Sequence, residues 1–365
     1  MTRLAGPNAA SGSMPAPPTA APDLPAARRQ MRAVQVVTLD GPNALRIGPV
    51  PEPDPDGRVV IDVRAAGVVY PDALKARGRY QDRAELPFVL GQECAGVVRS
   101  APDGSGFAPG DRVAACPAAG AFADVVAADP ASVFPLPEAV SFRHGACLPV
   151  NYLTAHAALL HRGRLRAGET VLVHGAAGGV GSAAVQLAVA AGARVIAVVS
   201  DDAKARVARR AGAHDVLAVD GFAPAARRLT GGTGVDVVLD PVGGDRFTDS
   251  LRCLAPGGRL LVVGFTSGSI PTVRVNRLLL NNTELVGVGW GALAQQPGYL
   301  HRQWADLLPL LQRGQLTPQI GAALPLTAAA DALHLLEQRR LAGRAVLLTT
   351  PDEPEPAPAE HEENR

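Results

Sequence analysis

Between residues 168 and 289, six short apolar runs recur: VLVHG (171–175), RVIAVV (194–199), DVLAV (215–219), VDVVLD (235–240), RLLVVGF (259–265) and ELVGVG (284–289). Stretches with helical character separate them, such as SAAVQLAVAAGA (182–193) and DDAKARVARRAGA (201–213). Continuously apolar strands that alternate with amphipathic helices belong to a parallel sheet covered on both faces. Six strands in that rhythm predict an α/β, doubly wound parallel sheet.

The chain before this region has a different texture. From residue 31 to about 134, β-rich runs such as RAVQVV (32–37), RVVIDV (58–63) and CAGVV (94–98) are broken by Asp40-Gly41, Asp56-Gly57 and Asp103-Gly104. Turn signals at that frequency predict a mostly antiparallel β unit. After Trp290 come a helix-like stretch, TAAADALHLLEQRR (327–340), and a last strand, RAVLLTT (344–350). Residues 1–30 are rich in Ala, Pro and Ser and lack an apolar signal-peptide core, so a disordered extension is expected, with the fold beginning near Met31. The acidic, proline-rich residues 351–365 are expected to be equally unpacked.

Bulk properties exclude several classes. Basic and acidic residues number 35 and 34, which argues against nucleic acid and anionic membrane partners. No run is long enough to span a bilayer. Cys94, Cys116, Cys147 and Cys253 form no CxxC pair, so neither a disulfide framework nor a cysteine-built zinc site is expected, and a reducing cytoplasm fits. Only Lys75 and Lys204 are lysines, all other cationic residues being arginine.

The strongest local signal is TVLVHGAAGGVG (170–181), where a strand enters a glycine-rich turn that opens a helix. Gly175 permits the sharp exit, Gly178 lets the backbone approach a pyrophosphate, and Gly181 permits close helix–strand packing. Ala177, Gly179 and Val180 complete the turn, whose helix N-terminus offers unpaired N–H groups to phosphates. This reads as a dinucleotide site. About 20 positions on, where NAD enzymes place an acid on the ribose diol, the chain has Val199. Ser200 follows, and Lys204 lies one helical turn later, so NADPH is expected over NADH, with Ser200 and Lys204 at the 2′-phosphate. Against this stand Asp201 and Asp202, and the alternative that Lys204 is a solvated helix residue.

With its flanking runs, AAGGVG (176–181) resembles the quinone oxidoreductase family of the medium-chain dehydrogenase/reductase superfamily. So do GVVYPDALKARGRY (67–80), LPFVLGQECAGVV (86–98), PGDRV (109–113), LPVNYLTAHAAL (148–159), DPVGGDRF (240–247) and APGGRLLVVGF (255–265), in the family's order. The resemblance spans residues 31–350. It implies a GroES-like catalytic domain split into 31–152 and 290–350, with a Rossmann NADP-binding domain, 153–289, inserted and the active site between them. It also implies a homodimer whose Rossmann sheets meet edge to edge along 283–289.

The resemblance further separates metal-dependent from metal-free branches. The zinc ligand positions of the alcohol dehydrogenases fall on Val69, Gln92 and Val150, with Glu93 beside them, and the four-cysteine structural lobe is missing. Two aliphatic side chains supply no donor atom. The eight histidines show no paired ligand spacing, so no zinc is expected. Without a Lewis acid, simple carbonyl reduction loses its main stabilisation. A quinone or α,β-unsaturated carbonyl spreads the incoming charge itself and needs only positioning and a proton. An NADPH-dependent reductase of quinones or enones is therefore expected. An enoyl-thioester reductase and an NADPH-binding sensor with little turnover are the alternatives.

Several side chains follow from the same resemblance. Tyr80 and Tyr70 lie in the segment that lines the family's substrate cleft, Tyr80 as a hydrogen-bonding or proton-donating phenol and Tyr70 as an apolar wall. Packing is the alternative for both. Asn151 and Thr154 match the segment at the nicotinamide half of the cofactor, with capping or buried polar satisfaction the alternative for Asn151. Gly264 and Phe265 end a Rossmann strand at its ligand-binding edge. Trp290 borders the substrate mouth or packs in the core.

Overall fold

The structure, a computed structural model, describes residues 29–350 except Arg83. The disorder expected for residues 1–28 and 351–365 lies outside the described residues. The fold begins slightly earlier than Met31: Arg29 accepts a 2.7 Å hydrogen bond from the Glu52 N–H, and the first strand is Gln30–Val36. That bond continues the antiparallel ladder with Leu45–Pro51, so the sheet already includes residues before the apolar boundary at Met31.

The six apolar runs form one six-stranded sheet. In space its order is Asp215–Ala218, Arg194–Val199, Thr170–His174, Val235–Asp240, Leu254–Val262 and Glu284–Gly287. Numbered along the chain, this is 3-2-1-4-5-6, with every pairing parallel. The order reverses between Thr170–His174 and Val235–Asp240, and ligands bind such sheets beyond the strand ends at that reversal. Alternate residues of the strands feed two cores. Val171, Val173, Val237 and Leu239 face one, which includes Trp304 and Leu307, and Leu172, Ile196, Val238 and Leu260 face the other.

The β unit is built on a seven-stranded sheet, beside a three-stranded one of Leu45–Pro51, Gln30–Val36 and Phe88–Val89. In the larger sheet Ile320–Pro325, Arg344–Leu348, Val59–Val68, Glu93–Ser100, Arg112–Ala115 and Val133–Pro135 lie in that order, and Val125–Ala128 also pairs with Val59–Val68. All its pairings are antiparallel except the one between the first two strands. Arg344–Leu348, the last strand among the described residues, is thus built into the sheet made by the chain's first third. Helix Tyr299–Gln312, not foreseen from sequence, joins the two units. Its Trp304 stacks on Phe134 at 4.7 Å and donates to the Pro135 carbonyl at 3.0 Å. Among the described residues, no helix is long and apolar enough to cross a membrane.

Candidate functional site

The glycine-rich turn sits at the sheet's reversal point. Gly175 has φ +58°, a left-handed conformation that favours glycine. Gly178 caps helix Gly179–Ala190 with no side-chain hydrogen bond, and Ser182 is the first residue whose N–H reaches back to the Gly178 carbonyl, at 2.8 Å. The N–H groups of Gly179, Val180 and Gly181 therefore begin the helix without intrahelical partners. A Cβ at Gly178 would meet only the Gly175 carbonyl, at 3.3 Å, so that face is open, whereas a Cβ at Gly181 would overlap the same carbonyl. An open backbone face with free N–H groups suits a pyrophosphate, and these residues fit a dinucleotide. Ala177 is buried, and its carbonyl accepts from the Gly343 N–H at 3.2 Å, tying the turn to the chain's C-terminal part.

At the end of Arg194–Val199 the structure brings Ser200 and Lys204 together: the Lys204 ammonium donates to Ser200 Oγ at 2.8 Å. Asp201 joins them. Its carboxylate lies 3.0 Å from Lys204 Nζ and caps helix Asp202–Arg210 by accepting from the Lys204 N–H at 2.9 Å. These bonds hold the Asp201 carboxyl down at about 2, the cap bond first among them. The lysine is available at this site but already has an acidic partner. Val199 is buried and offers no acid to a ribose.

The positions that correspond to zinc ligands are occupied differently. Val69 is buried at the N-cap of helix Tyr70–Ala76, and Val150 is the second residue of helix Pro149–His156. Glu93 is fully buried, with both carboxylate oxygens engaged. Oε2 accepts from the Val150 N–H at 2.8 Å, and Oε1 accepts from Asn151 Nδ2 at 3.4 Å and from the Arg344 guanidinium. Burial pushes Glu93 up to about 7, opposed by Arg344 and the Val150 N–H. The assembly presses on the glycine-rich turn, since a Cβ at Gly179 would overlap Asn151 Oδ1 and crowd Arg344. Among the described residues no cluster of three or more His, Cys, Asp or Glu could hold a metal ion.

The remaining residues distribute as follows. Asn151 is buried, inside its helix rather than at its cap. Thr154 gives its hydroxyl to the Val150 carbonyl at 2.6 Å. Gly264 and Phe265 follow Leu254–Val262, in a loop bonded to Pro241 and Val242 through the Thr266 and Ser267 N–H groups. Trp290 is half-buried, packs on the core and donates to Gln303 at 3.3 Å. Tyr70 is the first residue of helix Tyr70–Ala76. Tyr80 is half-buried beyond that helix, with its hydroxyl raised by burial and then by Asp82 and Asp72. Sequence reasoning missed Arg344 and Asp72. Their signal was charge placed in strongly apolar or glycine-flanked runs. Asp72 is fully buried, takes the Val69 N–H at 2.9 Å, and is pushed up to about 7 by burial.

Known proteins share this architecture. Residues 55–138 match the alcohol dehydrogenase GroES-like domain family and residues 179–313 the zinc-binding dehydrogenase family. Quinone oxidoreductase-like protein 2 of Bos taurus is 38% identical over 302 residues, which cover 81% of this chain and 86% of that protein. A probable oxidoreductase from Mycobacterium abscessus has a crystal structure 44% identical with a TM-score of 0.81, covering 88% of this chain and 99% of its own. A mycobacterial protein solved in complex with NADPH is 35% identical with a TM-score of 0.81, covering 87% of this chain and 99% of its own. The chain belongs to the quinone oxidoreductase family of the medium-chain dehydrogenase/reductase superfamily and is an NAD(P)-dependent oxidoreductase of that branch.

Proposed function

We propose that the chain uses NADPH to reduce a quinone or an α,β-unsaturated carbonyl without zinc. The observation that carries this reading is the chemistry around Glu93. Of the three ligand positions two hold Val69 and Val150, which have no donor atoms, the third holds the neutral amide of Gln92, and the neighbouring Glu93 carboxylate is committed to Val150, Asn151 and Arg344. Such a donor set does not fit a catalytic zinc. A substrate here must spread its own developing charge, which conjugated acceptors do.

The chain's residues divide the remaining work. The free N–H groups of Gly179, Val180 and Gly181 and the open face of Gly178 hold the pyrophosphate. Lys204 and Ser200 hold the 2′-phosphate, and Val199 removes the acid that would repel it. Asn151, Thr154, Gly264 and Phe265 flank the nicotinamide half. When bound, NADPH supplies the hydride from C4 of its nicotinamide. Tyr80, which its surroundings keep as a phenol at neutral pH, polarises or protonates the acceptor, and Tyr70 forms an apolar wall. The NADPH complex of the mycobacterial relative supports the cofactor assignment.

Tyr80→Phe tests the reading because it removes the hydroxyl and keeps the ring. General acids contribute about 10²–10⁴-fold, so kcat should fall steeply for an enone, which needs a proton on carbon. It should fall less for a quinone, whose oxygens solvent can protonate, while the NADPH Kd stays unchanged. A kcat within about twofold of wild type for both acceptors would remove Tyr80 from the chemistry.

A further inference from the structure

Lys75 is one of only two lysines, and its side chain is 4% exposed. Burying an ammonium is costly unless partners compensate it, and a methionine of similar length would fill the same space without that cost. The ammonium therefore calls for a reason. Nζ donates to the Ala118 carbonyl at 2.8 Å, lies 3.4 Å from Asp82 Oδ2, and stands 5.4 Å from the centre of the Tyr80 ring. That last distance is within cation–π range. These anchors belong to separate pieces of chain: helix Tyr70–Ala76, the stretch 77–87 and the loop around Ala118. Tyr80 itself stands in 77–87, whose described residues form neither helix nor strand. The Gly78 and Arg79 N–H groups tie the start of this stretch to the Lys75 and Leu74 carbonyls, and the Lys75 ammonium meets the ring itself.

The geometry points to Lys75 as the positioning residue of Tyr80, fixing the ring over its ammonium and offsetting the negative charge that the ring acquires when the hydroxyl gives up its proton. The inference rests on the reading of Tyr80 as proton donor. In that step the Tyr80 O–H bond breaks as a C–H or O–H bond forms on an acceptor that has already taken the hydride, and water returns the proton. The charged groups facing Tyr80 are Asp72 and Lys75 on the helix and Asp82 in its own stretch. Burial foremost, then Asp82 and Asp72, raises the Tyr80 hydroxyl and disfavours the phenolate. Only the ammonium among these three favours the phenolate, and a compact lysine charge fits beneath a ring.

A double-mutant cycle on the full chain tests this. Lys75→Met should lower kcat for an enone about 5- to 30-fold, the factor a desolvated cation–π contact supplies. In a Tyr80→Phe background the same change should cost less than about twofold, because no phenolate forms there. NADPH binding, read by fluorescence, should be unchanged by either and serves as the check that the fold survives. Equal losses in both backgrounds would overturn the inference.

A second measurement needs no turnover. With ¹³Cζ-labelled tyrosine, the Tyr80 resonance, assigned by its loss in Tyr80→Phe, should ionise at higher pH in Lys75→Met than in wild type. Lys75→Arg should restore part of the difference. Titration at the same pH in both proteins would show that Lys75 does not act on Tyr80. If Lys75 shifts the titration while Tyr80→Phe leaves kcat intact, the coupling stands and only the assignment of Tyr80 as proton donor fails.

Discussion

Arg344, in the chain's last strand, donates to Glu93, 251 residues earlier, and both side chains are buried. The pair reaches across Val59–Val68, the strand that lies between theirs in the seven-stranded sheet. It also connects that sheet to Gly179 of the glycine-rich turn, through Arg344 itself and through Asn151.

Breaking the pair on one side strands a buried charge. Arg344→Met should cost about 3–5 kcal/mol of stability, measured by urea denaturation. Combining it with Glu93→Gln should recover part of that loss, because the uncompensated carboxylate is gone. A single variant as stable as wild type would show that the pair is not coupled to the fold.

Cofactor preference should follow the cluster at the end of Arg194–Val199. NADPH should bind more tightly than NADH, and Lys204→Ala should narrow the gap about tenfold, since a charge-assisted contact is worth roughly 1.5–3 kcal/mol. Asp201→Asn keeps a capping side chain but frees Lys204, so it should widen the gap. Fluorescence titration of both cofactors checks each step. Equal affinities in wild type would refute the assignment of Ser200 and Lys204.

Asp72 gives stability a pH dependence of known sign. Its folded carboxyl lies at about 7 and its unfolded value near 3.8, so the native state keeps a proton that the unfolded chain releases. Stability from this group is present below about pH 4 and is lost as pH rises toward 7. At 1.36 kcal/mol per unit the change is of order several kcal/mol. Thermal melts should show a steeper fall in Tm between about pH 4 and 7 for wild type than for Asp72→Asn, the window being set by the unfolded and folded values of the Asp72 carboxyl. Parallel slopes would mean that Asp72 is ionised in the fold.

Much of this architecture was legible because periodicity reports burial. The inner four of the six apolar runs are largely buried, all six became parallel strands of one sheet, and the Asp-Gly turns carry left-handed glycines at Gly41, Gly57 and Gly104. Helix Tyr299–Gln312 escaped notice because it contains Pro309 and mixes its apolar residues with Arg302, Asp306 and His301. The glycine turn was legible because its chemistry is local. The partners of Glu93 were not, because Arg344 meets it only through tertiary folding, and a lone arginine before AVLL carries no spacing rule. Lys75 stood out by rarity, but what its ammonium touches depends on loops that no pattern places.

Assembly should use the open edge of the six-stranded sheet. Glu284–Gly287 is the edge strand, and the preceding stretch leaves Ile270, Val275, Leu279 and Leu280 each more than 70% exposed. Apolar side chains beside an unpaired edge favour a two-fold pairing that covers both. Light scattering at micromolar concentration should give a dimer, and Leu279→Glu with Leu280→Glu should give a folded monomer. A monomeric wild type would contradict the expectation.

The central claim is metal-free hydride transfer to a conjugated acceptor. Its most direct measurement is turnover of C4-deuterated NADPH by protein depleted of metal with chelator, with a quinone and an enone as acceptors. NADPH oxidation should be undiminished after chelation, with a primary isotope effect on kcat for the correctly deuterated C4 face and deuterium at the β-carbon of the reduced enone. NADPH binding with no oxidation by either acceptor, or activity lost on chelation and restored by zinc, would contradict it.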